Sequence, residues 1–318
     1  MWELTWGETN ALNFFEFTDK GRILIIQLLV HQTCTSVNFM FHLLSLVIMI
    51  CLVSSTLPAE VSYRMPHPSY NPGLFSVYHS VVGALDLYER KQLHGLHVDF
   101  ADKGLYYEAA YGLNWWEYYF KPIRLGKGNG ANSSLFTDKE ITQCAHATKY
   151  HITHLRANML IKKYIKPKRE LRKKIDDFYN AFFKGFYVIG IHYRGTNQMN
   201  NGNRVSHDKA LHEIQKAITS VGNQQWKLFV ATDEEAFYNF LKEKFPNRVL
   251  AIKASRSKDG TPVHLENYKA SFLKGQEAVL DCYLLARCDL LLKTCSNLSD
   301  ISTKLNPKLS VVHLNHCN

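Results

Sequence analysis

From Phe186 to the C-terminus, short apolar runs alternate with stretches of helical period. Phe186-Tyr-Val-Ile-Gly-Ile-His192 reads as a buried strand, and Ser206 is placed to cap a helix running to about Ser220. Trp226-Lys-Leu-Phe-Val-Ala231 predicts a second strand that ends in Thr232-Asp233. Glu234 to Phe245 then reads as a helix stopped at Pro246. A third strand is expected at Arg248–Ile252, a helix over Lys274–Cys288 and a strand at Leu290–Lys293. Ser296–Leu305 follows as a short helix, and Leu309–His313 as a last strand. Strands alternating with helices predict an α/β fold with a parallel sheet covered on both faces.

Upstream the pattern is less regular. Pro66–Gly73 has loop composition, Leu74–Arg90 places Leu74, Val77, Val81, Leu85 and Tyr88 at helical spacing, and Gly95–Phe100 reads as a strand. The aromatic cluster Asn114–Phe120 fits core packing or, alternatively, a sugar-stacking surface. From Ile23 to Ala59 there is no Asp, Glu, Lys or Arg, and Val37–Val53 is broken only by Asn38, His42 and Ser45. That length fits a membrane span or a signal-peptide core, with a buried soluble helix as the alternative. Lys20 and Arg22 before it favour a cytoplasmic N-terminus, which puts the body on the non-cytoplasmic side, in a secretory or envelope compartment. The fold proper is expected to begin near Val61.

Composition bounds the rest. With 318 residues, 46% of them hydrophobic and 21% charged, the chain is globular, with room for one large domain or two ordinary ones. Most of the formal charge of +10 comes from Ile161–Ile175, where eight basic residues face one acid, Glu170. Such a run is a solvated helix face or a polyanion-binding patch. Without interleaved aromatics it is a poor nucleic-acid platform. Seven cysteines without a C-x-x-C signal neither zinc knuckle nor thioredoxin-type site.

In an open parallel sheet, ligands bind beyond the carboxyl ends of the strands. That edge collects Arg194, Gly195 and Thr196 after the first strand, Asp233 after the second, and Thr294, Cys295, Ser296 and Asn297 after the fourth. An arginine bridges phosphate oxygens, and the free amides of a helix start attract anions, so a diphosphate fits there. His192 reads as a core histidine or a site residue, and Ser296 as a helix cap or a ligand. Asp281, set among apolar neighbours in its helix, needs a partner, for which Arg194 is the candidate. There is no P-loop, and no D-x-D pair to hold a metal, so a leaving diphosphate would be neutralised by cations and amides.

The segment Val188-Ile-Gly-Ile-His-Tyr-Arg-Gly-Thr196 resembles the H-x-R motif of the fucosyltransferase superfamily that includes core α1,6-fucosyltransferases, rhizobial nodulation fucosyltransferases and protein O-fucosyltransferases. Phe229–Glu234, Gly275–Asp289 and Thr294–Ser299 look collinear with the same family. The resemblance implies a GT-B-like fold of two facing Rossmann-like domains with parallel sheets, after an N-terminal hydrophobic segment. The expected divisions are 1–59 for that extension, 60–165 for an acceptor-side domain, 166–182 for a basic connecting helix and 183–318 for a donor domain. It also implies inverting fucosyl transfer from GDP-fucose to a glycan or protein acceptor, without a metal or other cofactor. By position, Arg194 matches the family's arginine on the diphosphate and is the expected catalytic residue, and His192, Asp281 and Ser296 match its donor-site positions; Gly195, Thr196, Asp233 and Asn297 join the expected donor site from the sheet edge. Two departures stand out. The family often has an acid where this chain has Asn197, and its two-arginine members have a second arginine where this chain has Gly195.

Overall fold

The computed structural model describes residues 2–6, 11–17, 23–29, 62–70, 72–101, 103–126, 133–196, 204–261 and 270–315. The apolar stretch Val37–Val53 and the departure at Asn197 lie outside these residues. The chain divides into two compact units, Met1–Pro58 and Ala59–Asn318.

In the first unit, strands β1 (Trp2–Trp6), β2 (Ala11–Phe17) and β3 (Ile23–Leu29) form an antiparallel sheet in that order. The charge-free run thus opens as a sheet strand paired to β2. Among the described residues no helix is long and apolar enough to cross a membrane.

The second unit holds two sheets. The smaller contains β4 (Ser62–Met65), β5 (Gly95–Val98), β6 (Arg124–Gly126) and β7 (Ser134–Leu135), in the order β6-β5-β4-β7. Its β4 pairs are parallel, but β6 runs antiparallel to β5, so this sheet is mixed rather than parallel as expected. Helix α1 (Leu74–Glu89) is buried on most of its surface, which is why its sequence is apolar well beyond one stripe. It crosses α3 (Asp138–Tyr150) closely at Gly83, where a Cβ would stand 2.2 Å from the Cys144 carbonyl oxygen. The aromatic cluster is core: Trp115, Trp116 and Phe120 are wholly buried around the short helix α2 (Trp116–Tyr119).

The basic stretch does not form one continuous helix. Helix α4 (His154–Tyr164) stops, and α5 (Arg169–Phe178) starts after Pro167, which cannot donate a helical hydrogen bond. Leu171 and Ile175 point inward while Lys162, Lys166, Arg169 and Arg172 are exposed, as a solvated face requires.

The larger sheet is wholly parallel. Its strands are β8 (Tyr187–Tyr193), β9 (Trp226–Thr232), β10 (Val249–Leu250), β11 (Leu290–Lys293) and β12 (Ser310–His313), in the order β10-β9-β8-β11-β12. The third strand is shorter than its apolar run predicts. Ile189, Ile191, Leu228, Val230 and Leu292 face α6 (His207–Val221) and α7 (Glu235–Lys244). Val188, Phe229, Ala231 and Leu291 belong to the core on the opposite face, shared with α8 (Ser271–Leu285) and the smaller sheet. Burial of both faces explains the near-continuous apolar strands. Each large side chain so buried contributes about 1.5–3 kcal/mol. Ser206 caps α6 by accepting from the Lys209 amide, as its position predicts.

A buried charge cluster ties the two halves of this unit. Asp300 of α9 (Asn297–Leu305) accepts from Lys304 Nζ at 2.7 Å and lies 3.2 Å from His79 Nε2 of α1. Burial alone would raise the Asp300 pKa, but His79 and the Lys304 ammonium hold it well below the usual carboxylate range. Asn158 of α4 donates to the Lys304 and Leu305 carbonyls, closing the end of α9.

Candidate functional site

Strand order creates the site. From β8 the chain moves outward to β9 and β10, then returns to place β11 on the other flank of β8. The winding reverses between β8 and β11, and beyond their carboxyl ends lies a crevice of the kind that binds ligands in such folds. A cleft of about 540 Å³ opens there.

Two strand ends are laced together at its floor. The Arg194 amide donates to Thr294 Oγ1 at 2.9 Å, and the Thr294 amide donates to the His192 carbonyl at 2.9 Å. After β11, Ser296 caps α9 by accepting from the Leu298 amide at 3.3 Å, which presents the first turn of that helix to the cleft. Arg194, His192, Asp233, Asp281, Ser296 and Asn297 all line the cleft. None of the ion pairs among the described residues involves Arg194. A half-buried guanidinium beside a helix N-terminus makes a local field that favours an anion.

Gly195 and Thr196 do not reach the cleft wall. The Gly195 amide donates to Asp233 Oδ1 at 2.8 Å and the Thr196 hydroxyl to Asp233 Oδ2 at 2.6 Å. Asp233 therefore braces the segment after β8 with both carboxylate oxygens, instead of keeping them open for a ligand. The Asn297-Leu-Ser299 sequon is built into the helix start, with the Ser299 hydroxyl buried and donating to the carbonyls of Thr294 and Ser296. That is not the exposed loop an N-glycan needs.

The expected pairing of Asp281 with Arg194 is not formed. The cation that bears on Asp281 is Arg256, brought by the 251–257 segment, which runs beside α8 and donates the Ser255 amide to Glu277 Oε2 at 3.3 Å. Burial pushes the Asp281 carboxyl up to about 8, with Arg256 offsetting part of the rise and Glu277 adding to it. Burial pulls His192 down to about 3, helped by the charges of Arg194 and Lys293. At neutral pH the cleft therefore carries a neutral carboxylic acid and a neutral imidazole. Asp281 Oδ1 and His192 Nδ1 are buried and have no hydrogen-bond partner. Buried polar atoms are seldom left unpaired, and a bound ligand is one way to satisfy them.

Several wall residues escaped the sequence reading. Gly73, Leu74 and Tyr106 close the cleft from the smaller-sheet side, where the Leu74 amide donates to Tyr106 Oη at 3.0 Å. Lys274 and Glu277 join Asp281 on one face of α8; their i, i+3, i+7 spacing was the available signal. Glu234, buried at 8% exposure, was also missed. Its Oε1 accepts from Arg204 Nη2 at 2.9 Å and lies 3.1 Å from His207 Nε2. Among the described residues no group of three or more His, Cys, Asp or Glu side chains could hold a metal ion.

The family model for nodulation protein Z (NodZ) matches residues 142–315, more than half of the chain. The chain belongs to the NodZ family. The nodulation protein Z of Bradyrhizobium diazoefficiens is 28% identical over 137 residues, which cover 41% of this chain and 36% of that protein. The protein of the same name from Sinorhizobium fredii is 24% identical over 137 residues, covering 41% and 42%. The match thus spans roughly two fifths of these curated relatives. Among solved structures, the fucosyltransferase NodZ from Bradyrhizobium superposes with a TM-score of 0.53 at 18% identity, covering 78% of this chain and 93% of that one. NodZ α1,6-fucosyltransferase soaked with GDP-fucose gives 0.51 at 19%, covering 78% and 94%. A mutant of Arabidopsis thaliana FUT1 in complex with GDP gives 0.51 at 13%, covering 85% and 74%. At these identities the likeness shows a shared fold.

Proposed function

We propose that this chain is a glycosyltransferase that moves fucose from GDP-fucose to a hydroxyl of a glycan or protein acceptor, with inversion and without a metal ion. The observation that carries this reading is the joining, in one cleft, of Arg194 and the α9 N-terminus with the unpaired polar atoms of His192 and Asp281. The first pair suits a diphosphate, and the second suits a neutral polar group such as a nucleobase or ribose edge. Membership of the NodZ family and the likeness to folds that hold GDP and GDP-fucose point the same way.

In the reaction, the acceptor oxygen attacks the anomeric carbon as the bond to the β-phosphate oxygen breaks. GDP leaves with the bonding electrons and the acceptor proton passes to a base. Arg194 and the α9 amides stabilise charge that grows on GDP, an interaction stronger in the transition state than in the ground state. His192, neutral here, and Asp281, whose carboxyl is held largely protonated by burial, orient the donor.

The proposed organisation keeps 60–165 as the acceptor side and 183–318 as the donor side, joined through 166–182. Residues 1–59 form an extension whose apolar segment anchors or exports the chain, which puts the body on the non-cytoplasmic side.

The test is calorimetry of the full chain with GDP and GDP-fucose, with and without a chelator, beside Arg194→Ala. Binding that survives chelation and collapses in the variant supports the reading. Failure of the folded wild type to bind either ligand removes it. Binding without turnover would leave a donor-binding protein, and tighter binding of another GDP-sugar would reassign the donor.

A further inference from the structure

We infer that Glu234 is the positioning residue for Arg194, matched in this chain to the glycine at 195; the inference rests on the proposed GDP-sugar site. Asp233 and Glu234 are consecutive acids at the end of β9, and they hold different parts of the segment that carries Arg194. Asp233 takes the near end through the Gly195 amide and the Thr196 hydroxyl. Glu234 takes the far end, where Arg204 Nη2 lies at 2.9 Å and His207 Nε2 at 3.1 Å from its Oε1.

The other carboxylate oxygen of Glu234 fills the space beside Gly195. A Cβ at 195 would stand 1.8 Å from Glu234 Oε2 and 2.8 Å from its Cδ. A glutamate tip ordinarily swings aside cheaply. This one is buried and pinned through Oε1. Its own amide donates to Thr232 Oγ1 at 3.2 Å, and the next amide, of Glu235, donates to the Ser257 carbonyl at 2.9 Å. The His207 ring is packed in turn among Tyr193, Phe237 and Phe240. Any side chain at 195 must therefore break the Arg204 and His207 contacts or push its own backbone away. The moving backbone would carry Arg194, whose amide is laced to Thr294. Gly195 and Glu234 thus form a matched pair that sets where the Arg194 guanidinium stands.

The test measures affinity for GDP and for GMP in the full chain. GMP lacks the outer phosphate, so the ratio of the two constants reports Arg194's grip on the diphosphate. Gly195→Ala is expected to weaken GDP binding about 10- to 100-fold, the cost of a small misplacement of a binding group, and GMP binding much less. Adding Glu234→Ala to Gly195→Ala should restore part of the loss by clearing the space, and Glu234→Gln alone should be milder than Glu234→Ala. GDP binding unchanged in Gly195→Ala, equal losses for GDP and GMP, or a double variant as weak as the product of the singles would each overturn this role and leave the proposed function standing. Wild-type protein that binds no GDP would remove both.

Discussion

The backbone amide of Arg194 donates to the side-chain hydroxyl of Thr294 across 2.9 Å, joining the ends of β8 and β11 at the point where the sheet reverses its winding. Residues one hundred positions apart are thereby fixed as neighbours. Thr294 is 1% exposed, so its hydroxyl is held in the interior. Thr294→Val keeps the shape and strands the Arg194 amide, at a cost of about 1–3 kcal/mol. Chemical denaturation should show that loss, and GDP affinity should fall with it.

Arg194 carries charge on the cleft wall without contributing to an ion pair among the described residues. Arg194→Ala should leave the denaturation midpoint nearly unchanged. It should lower kcat for GDP release about 10²- to 10³-fold, as for lost donors at a developing anion. Arg194→Lys should recover little, since an ammonium cannot bridge two phosphate oxygens in the plane of a guanidinium. Recovery to near wild-type activity by lysine would show that only net charge matters.

Asp281 gives a pH signature. Its folded pKa, about 8, is raised above the model-peptide value of 3.8, so the folded state binds the extra proton. Stability from this group is full below the unfolded value and is lost as pH rises through the folded one. Asp281→Asn should therefore stabilise the ligand-free protein by an amount that grows from about pH 4 to about pH 8 and then levels off. Thermal melts of both proteins across that range check the slope. The same variant should keep GDP-fucose affinity if the unpaired Oδ1 accepts from the donor, because asparagine retains an acceptor oxygen there, whereas Asp281→Leu should weaken it.

Lys304 is wholly buried against Asp300. Lys304→Met removes one partner and strands the other charge, which typically costs about 3–5 kcal/mol. The Asp300 pKa is depressed, so its stabilisation is present above the unfolded value and fades as pH falls toward the folded one. Acid unfolding of Lys304→Met should begin at higher pH than in the wild type, as circular dichroism would show. A matching stability curve would argue that Asp300 and His79 suffice without the lysine.

The residue sequence by itself determined the alternation of strands and helices from 186 onward, because period and capping are local: Ile189 and Ile191 bury one face, and Ser206 and Ser296 cap the helices that begin after them. It also placed Arg194 and the α9 start at the carboxyl edge of the sheet, since both lie just past apolar runs. Tertiary structure decided which strand ends are adjacent, and so where the crevice lies, because strand order depends on packing between distant segments and leaves no local period. It also decided partners. Asp281 meets the field of Arg256 rather than Arg194, Thr196 turns to Asp233, and Tyr106 arrives from a turn on the smaller-sheet side. Charged side chains are several ångströms long, and which cation reaches a buried acid depends on the path of the whole chain around it. The fit of Glu234 beside Gly195 is the sharpest case, because a missing Cβ has meaning only once a neighbour is seen to occupy its place.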